Sequence, residues 1–132
     1  MRQDSGLLLL RLGIGAMFVA HGVPKVLGGP DRWEKLGGAM ETFGIHFAPQ
    51  LWGFAAALSE SAGGLLLAMG LAFRPACTML LSTMVVAAAM HLDRGDGWAK
   101  ASHAIESAIL FASLLWMGPG AYVLTLRHRG RP

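Results

Sequence analysis

Six side chains in this 132-residue sequence have the types and spacing for proton chemistry: His21, Lys25, Glu60, His91, His103 and Glu106. His21 and Lys25 are four residues apart, and His103 and Glu106 three, so each pair shares a face if its segment is helical. Histidine exchanges protons near neutral pH, and a lysine close to a carboxylate favours the charged form of both. The His-x-x-Glu spacing of His103 and Glu106 also sets two metal-ligand types on one face, which His91 and His21 would have to complete. No second motif of known ligand spacing supports that reading, and no metal is assigned. The single cysteine, Cys77, makes neither an internal disulfide nor a Cys-x-x-Cys pair, and reads as a small packing residue.

The elements that position these groups are apolar blocks. Charged residues are 14% of the chain against about 25% in soluble domains. Hydrophobic residues are 54%, and they come in runs punctuated by charge. One core of this size cannot bury so many runs in water, so the expected solvent is lipid. Four segments read as transmembrane helices, at about 7–27, 51–73, 76–92 and 101–117. Between the first two, residues 31–44 carry Trp33, Leu36, Met40 and Phe43 at helical spacing among charges, with Asp31 as the expected N-cap. That pattern predicts a short amphipathic helix at the membrane surface. A further apolar patch at 121–126 is too short to span. The first segment lacks a clear cleavage site and reads as a retained helix.

The fold class expected is therefore all-α: one membrane domain over 1–132, an up-down-up-down four-helix bundle with an interfacial helix after the first span. Short connections make consecutive later spans antiparallel, with a tight turn at Arg74-Pro75. The abundant glycines, 18 in all, suit close helix packing, with Gly53, Ala56, Gly63 and Gly64 expected against another helix. One side carries Arg2, Arg11, Arg74, Arg127, Arg129 and Arg131, and the other Lys25, Arg32, Lys35, Arg94 and Lys100. The basic tail sets the orientation with both termini in the cytoplasm. The net charge of +3 does not point to nucleic acid.

Depth then makes the ionisable residues informative. A charge at the centre of a span costs roughly 2.5–3.5 kcal/mol even on a lenient scale, so each needs a reason. Arg11, near the inner end, reads as an anchor whose side chain reaches the headgroups. His21 falls about 9 Å and Glu60 about 14 Å below the outer surface, with Lys25, His91, His103 and Glu106 in the same half. The residues thus predict a polar pocket in the outer half of the bundle, centred on His21, Lys25 and Glu60.

Three stretches resemble the DoxX family. The first is Leu8-Leu9-Leu10-Arg11-Leu12-Gly13, continuing to Phe18-Val19-Ala20-His21-Gly22-Val23-Pro24-Lys25-Val26. The second is Glu60-Ser61-Ala62-Gly63-Gly64-Leu65-Leu66-Leu67, with Gly70-Leu71 and Arg74 after it. The third is Glu106, its apolar helix and Gly118-Pro119-Gly120. Arg11, His21, Lys25, Glu60 and Arg74 match the family pattern, and His91 and Glu106 match it less closely. The resemblance implies a four-helix protein of the bacterial inner membrane. It also implies association with redox complexes, among them a thiosulfate:quinone oxidoreductase subunit. The chain lacks the cysteine pairs used by related redox membrane proteins, so thiol catalysis is not expected.

Together these readings predict a membrane subunit of a redox system, with an oxidoreductase-associated role and no redox centre of its own. It would bind a quinone-like or other small molecule, with His21 and Glu60 exchanging protons and Lys25 tuning them. His91, His103 and Glu106 would line the pocket, and Arg74 would be structural or anchoring. Expected partners are the lipid bilayer, a redox protein and a second copy of the chain. The competing reading is a non-enzymatic scaffold, anchor or assembly factor whose polar cluster is structural.

Overall fold

The computed structural model describes residues 1–124, and these form five α-helices, one 3-10 helix and no strand. In chain order they are α1 (Arg2–Leu27), α2 (Pro30–Gly37), the 3-10 helix (Gly38–Phe43), α3 (Pro49–Met69), α4 (Phe73–Arg94) and α5 (Trp98–Met117). α1, α3 and α4 are long and apolar enough to cross a membrane. α5, with 20 residues, is not among them, because Lys100, His103 and Glu106 crowd its first half. The basic tail, Arg127, Arg129 and Arg131, lies outside the described residues, as does the end of the patch predicted at 121–126.

Glycine and proline set the boundaries. Gly70 (φ 72°) ends α3, its N–H bonding to Leu67 O at 3.1 Å while Leu71 N–H reaches Leu66 O at 3.0 Å. This left-handed cap stops the helix four residues before the expected end at 73. The α3–α4 turn is therefore at 70–72, and Arg74 and Pro75 belong to the first turn of α4. Proline is tolerated there because the first N–H groups of a helix have no intrahelical acceptor. The predicted surface helix at 31–44 divides into α2 and the 3-10 helix. Its N-cap is Gly29 (φ 81°) rather than Asp31, with Pro30 opening the helix.

α1 and α3 pack antiparallel with their backbones close together. A Cβ added at Gly64 would meet Gly15 O at 2.8 Å, and one at Gly15 would meet Gly64 O at 2.6 Å. Farther along, Gly22 sits against the backbone of Ser61. α3 meets α4 through Gly63 against Leu80, and through Thr83 Oγ1–H donating to Ser59 Oγ at 3.1 Å. α5 packs on α4, and Phe111 of α5 meets Phe18 of α1 edge to face at 4.9 Å. The core between them is built from Leu67, Cys77, Leu80, Met84, Phe111 and Leu114. Gly53, Gly63 and Gly64 thus all meet neighbouring elements, as their small size predicts. Ala56 does not: it lines the open cleft described below.

α2 does not float on the bundle. Gly37 lies against the Pro49 backbone and Gly53 against the Trp33 backbone, so α2 is clamped to the start of α3. Trp33 reinforces this, its ring meeting Phe54 edge to face at 4.8 Å. Its indole N–H reaches Lys25 O at 3.0 Å and Val26 O at 3.2 Å, satisfying carbonyls at the end of α1.

Candidate functional site

Two apolar helices side by side leave a groove, and a helix clamped across one end turns it into a cleft. Here α3 and α4 form the walls, and α2 with the 3-10 helix covers one end. The cleft has a volume of about 1230 Å³. Its walls are mostly small or apolar: Ala55 and Ala56 from α3, Met79, Val86 and Met90 from α4, and Met40 from the 3-10 helix.

One ion pair is built into this wall. Lys25 Nζ donates to Glu60 Oε2 at 2.7 Å, joining α1 to α3. The Glu60 side chain is only 7% exposed and that of Lys25 26%. The sequence brings them together in two steps. On α1, Gly22 lets the backbone of α3 approach at Ser61, and Lys25 follows one turn later on nearly the same face. On α3, Glu60 immediately precedes Ser61 and so meets α1 at that crossing. Next to Glu60, the buried Ser59 accepts the Thr83 hydroxyl, which places a second polar step in the same wall. Among the described residues, no buried side-chain nitrogen or oxygen lacks a hydrogen-bond partner.

The remaining predicted site residues separate. His91 lines the cleft at its α2 end, where its Nδ1–H donates to Asp96 Oδ2 at 2.8 Å. That hydrogen bond, with the charges of Lys100, His91 and Arg94, holds the Asp96 carboxyl below its ordinary value against a smaller opposing effect of desolvation. His21 is exposed, and its Nδ1–H donates back to Met17 O at 2.7 Å, so it does not join Lys25 and Glu60. His103 and Glu106 are also exposed, on the face of α5 away from the core. The stripe Ala101, Ala104, Phe111 and Leu114 faces inward instead. Among the described residues, no three His, Cys, Asp or Glu side chains converge as metal ligands.

Arg11 behaves differently from the headgroup-reaching anchor expected of it. It is 1% exposed, and its guanidinium turns inward. Nε–H donates to Leu67 O at 3.2 Å, one terminal nitrogen to Ala68 O at 3.2 Å and the other to Pro119 O. Leu67 and Ala68 lie in the last turn of α3, where unpaired carbonyls and the helix dipole both favour a cation. Arg11 therefore ties the start of α1 to the end of α3 and to the segment after α5. Arg74 is exposed and borders the far end of the cleft.

Three cleft residues escaped the sequence reading as site candidates. Arg32 and Lys35 of α2 and Arg94 of α4 line the covered end. For Arg32 and Lys35 the signal was present in the amphipathic pattern of residues 31–44, but only the packing of α2 against α3 turns them toward the groove; Arg94 joins them because α4 ends beside Gly38.

The family model for DoxX matches residues 6–92, about two thirds of the chain, running from α1 almost to the end of α4. It contains Arg11, His21, Lys25, Glu60, Arg74 and His91, while α5 with His103 and Glu106 falls beyond it. No curated protein and no solved structure matches the chain. With its apolar helices and a family match over most of its length, this chain is a membrane protein of the DoxX family.

Proposed function

We propose that the chain is a membrane subunit of a redox system that binds a quinone-like amphiphile in the α3–α4 cleft. The observation that carries this reading is the Lys25–Glu60 pair, set in the wall of a mostly apolar cleft. A quinone has an apolar body and carbonyls that accept hydrogen bonds, and its reduction takes up two electrons and two protons. The cleft walls suit the body, and Lys25 supplies N–H donors beside a carboxylate able to take or give a proton. A redox partner protein would supply the electrons. The proton-exchanging group in this reading is Glu60, with Lys25 as its ion-pair partner. His21 has no place in the cleft, and His103 and Glu106 face away from it.

The membrane setting belongs to the same proposal. α5 serves as the fourth span, completing an up-down bundle in a bacterial inner membrane with both termini in the cytoplasm. The α2 end of the cleft then lies toward the outer surface.

A specific observation favours a second reading. Glu60 Oε2 already accepts from Lys25 within the protein, as expected of an ion pair that only holds α1 to α3. The chain would then be a scaffold or assembly factor. Trp52 lines the cleft and gives a test, because quinones quench indole fluorescence. With Trp33, Trp98 and Trp116 replaced by Phe, titration with a short-chain benzoquinone in nanodiscs should quench Trp52 saturably. Lys25→Gln, which removes the charge from the donor, should weaken that binding about tenfold, as expected for loss of one charge-assisted hydrogen bond. Absence of saturable quenching would leave the scaffold reading standing.

A further inference from the structure

The covered end of the cleft carries positive charge that the protein itself does not neutralise. Lys25 is committed to Glu60, and His91 to Asp96. Arg32, Lys35 and Arg94 line the same cleft, and among the described residues none of them has a carboxylate within salt-bridge distance. Arg32 spends one N–H on Pro24 O at 3.3 Å, leaving the rest of its five donors. The nearby acids are turned elsewhere: Asp93 accepts from Thr42, and Asp31, Glu34 and Glu41 do not line the cleft.

The three cations converge from both sides of the opening. Arg32 and Lys35 are three residues apart, which puts them on one face of α2. Arg94 comes from the last turn of α4, and its guanidinium lies beside Gly38, where α2 passes into the 3-10 helix. Away from this end the groove turns apolar. Its α4 wall repeats at helical spacing through Met79, Thr83, Val86 and Met90, and from Pro75 to Arg94 it runs about 28 Å, close to a bilayer core of ~30 Å. A cationic mouth on an apolar groove of membrane length is complementary to a negatively charged headgroup carrying acyl chains.

We propose that this end of the cleft is a binding site for an anionic phospholipid. Its phosphate sits among Arg32, Lys35 and Arg94, and an acyl chain lies along the groove between α3 and α4. Arginine suits the phosphate because its planar fork offers two parallel donors, and lysine adds a point charge. Zwitterionic lipids carry the same phosphate with a compensating cation, so the site distinguishes them by net charge. This assignment rests on the membrane setting of the chain and uses none of the redox chemistry proposed for Glu60.

The test uses the full chain in nanodiscs containing equal phosphatidylglycerol and phosphatidylcholine, followed by release and native mass spectrometry of retained lipid. Wild type should keep phosphatidylglycerol in clear preference. Replacing Arg32, Lys35 and Arg94 together by Gln should reduce that preference roughly a hundredfold, the effect of three lost contacts between basic residues and an anionic surface. All three side chains are exposed, so folding should survive. Arg94→Lys should retain part of the preference. Lys100→Gln, which removes a cation outside the cleft, should leave it unchanged. Equal retention of both lipids by wild type overturns the proposal. So does a preference that survives the triple replacement, or one that Lys100→Gln reduces as strongly. No quinone is present in the measurement, so its outcome is independent of the redox reading.

Discussion

Glu60 on α3 and Lys25 on α1 meet at 2.7 Å with the carboxylate almost wholly withdrawn from the surface. The two charges are far less costly together than either would be alone, because a buried carboxylate without a partner retains its full desolvation penalty. Lys25→Met should therefore destabilise the protein by about 3 kcal/mol. Lys25→Met combined with Glu60→Leu should recover most of that loss, since two apolar side chains replace the pair. Denaturant unfolding in detergent of the wild type, both single variants and the double variant measures the coupling. Additive single effects would mean that the pair contributes nothing as a pair.

Close approach of α1 and α3 makes a second, directional prediction. A side chain at Gly64 has nowhere to go, since even its Cβ meets Gly15 O at 2.8 Å and Phe18 Cβ at 3.0 Å. Gly13, on the same α1, has open space around it. Gly64→Leu should prevent proper assembly of the bundle, whereas Gly13→Leu should express and melt like wild type. Overpacking ordinarily costs about 1–3 kcal/mol, and here the obstacle is backbone that cannot move aside. Equal behaviour of the two variants would contradict the helix contact.

Arg11 supports a third. Its three acceptors are backbone carbonyls from two separate parts of the chain, Leu67 and Ala68 on one side and Pro119 on the other. Lysine can place its charge there but not the planar fork, so Arg11→Lys should not be conservative. A loss of about 3 kcal/mol is expected for Arg11→Met, and more than half of it for Arg11→Lys. The segment after α5 should also be released, because Pro119 loses its donor. Limited proteolysis near Ala121 would report this. Cleavage no faster than in wild type would show that the other contacts of that segment suffice, namely Ala121 N–H to Asp4 Oδ1 at 2.9 Å and Leu124 N–H to Met69 O at 3.1 Å.

These residues also show how far the sequence carries. A charge at the depth of Glu60 demands a partner, and the opposite directions of α1 and α3 leave Lys25 as a cation within reach; the ion pair was legible from cost and topology. His21 was grouped with them because it is four residues from Lys25. However, the stripe of α1 that meets α3 runs through Arg11, Gly15 and Gly22, and His21 lies one residue, or about 100°, away from Gly22. On α5 the inward stripe of Ala101, Ala104, Phe111 and Leu114 was available in the sequence and turns His103 and Glu106 outward. The inward turn of Arg11 was not readable, because nothing local says that Pro119 returns to the end of α3. The cleft was hidden for a similar reason: it exists only because Gly37 and Gly53 let α2 lie across the groove.

The turn between α4 and α5 should respond to acid. Asp96 ionises more readily in the folded protein than its ordinary value of 3.8, chiefly because His91 Nδ1–H donates to it. A carboxyl whose folded value is depressed stabilises the fold fully above the ordinary value, and that contribution is lost as pH falls through the lowered folded value. Hydrogen exchange of the backbone at residues 95–98 should accelerate as pH falls through that range, after correction for the intrinsic rate. Asp96→Asn should flatten the dependence, while exchange within α3 remains the reference. A corrected profile identical in wild type and Asp96→Asn would remove Asp96 from the account.

The last prediction concerns α5, which lies beyond the family match and, unlike α1, α3 and α4, does not stand out as a membrane span by its composition. Its inward face is bound firmly: Phe111 is fully buried and Leu114 with it, and Phe18 of α1 closes on Phe111. Its outward face divides in two. His103 and Glu106 are exposed in its first half, while Ile109 and Trp116 are exposed farther on, Trp116 at 92%. A helix of 20 residues rises about 30 Å, enough to cross, and indole rings favour the boundary between lipid and water. If α5 crosses, with Trp98 and Trp116 near its two ends, residues 96 and 122 must lie on opposite sides. Cys77 is buried and can be replaced by Ala to leave a cysteine-free background. In that background a cysteine at Asp96 should react with a membrane-impermeant maleimide in cells whose inner membrane is intact, and one at Tyr122 should react only after that membrane is opened. A cysteine at Ile109 should resist in both conditions. Labelling of 96 and 122 from the same side would show that α5 does not cross. Labelling of 122 alone in intact cells would keep the four spans and reverse their orientation, moving the cationic mouth of the cleft to the cytoplasmic leaflet.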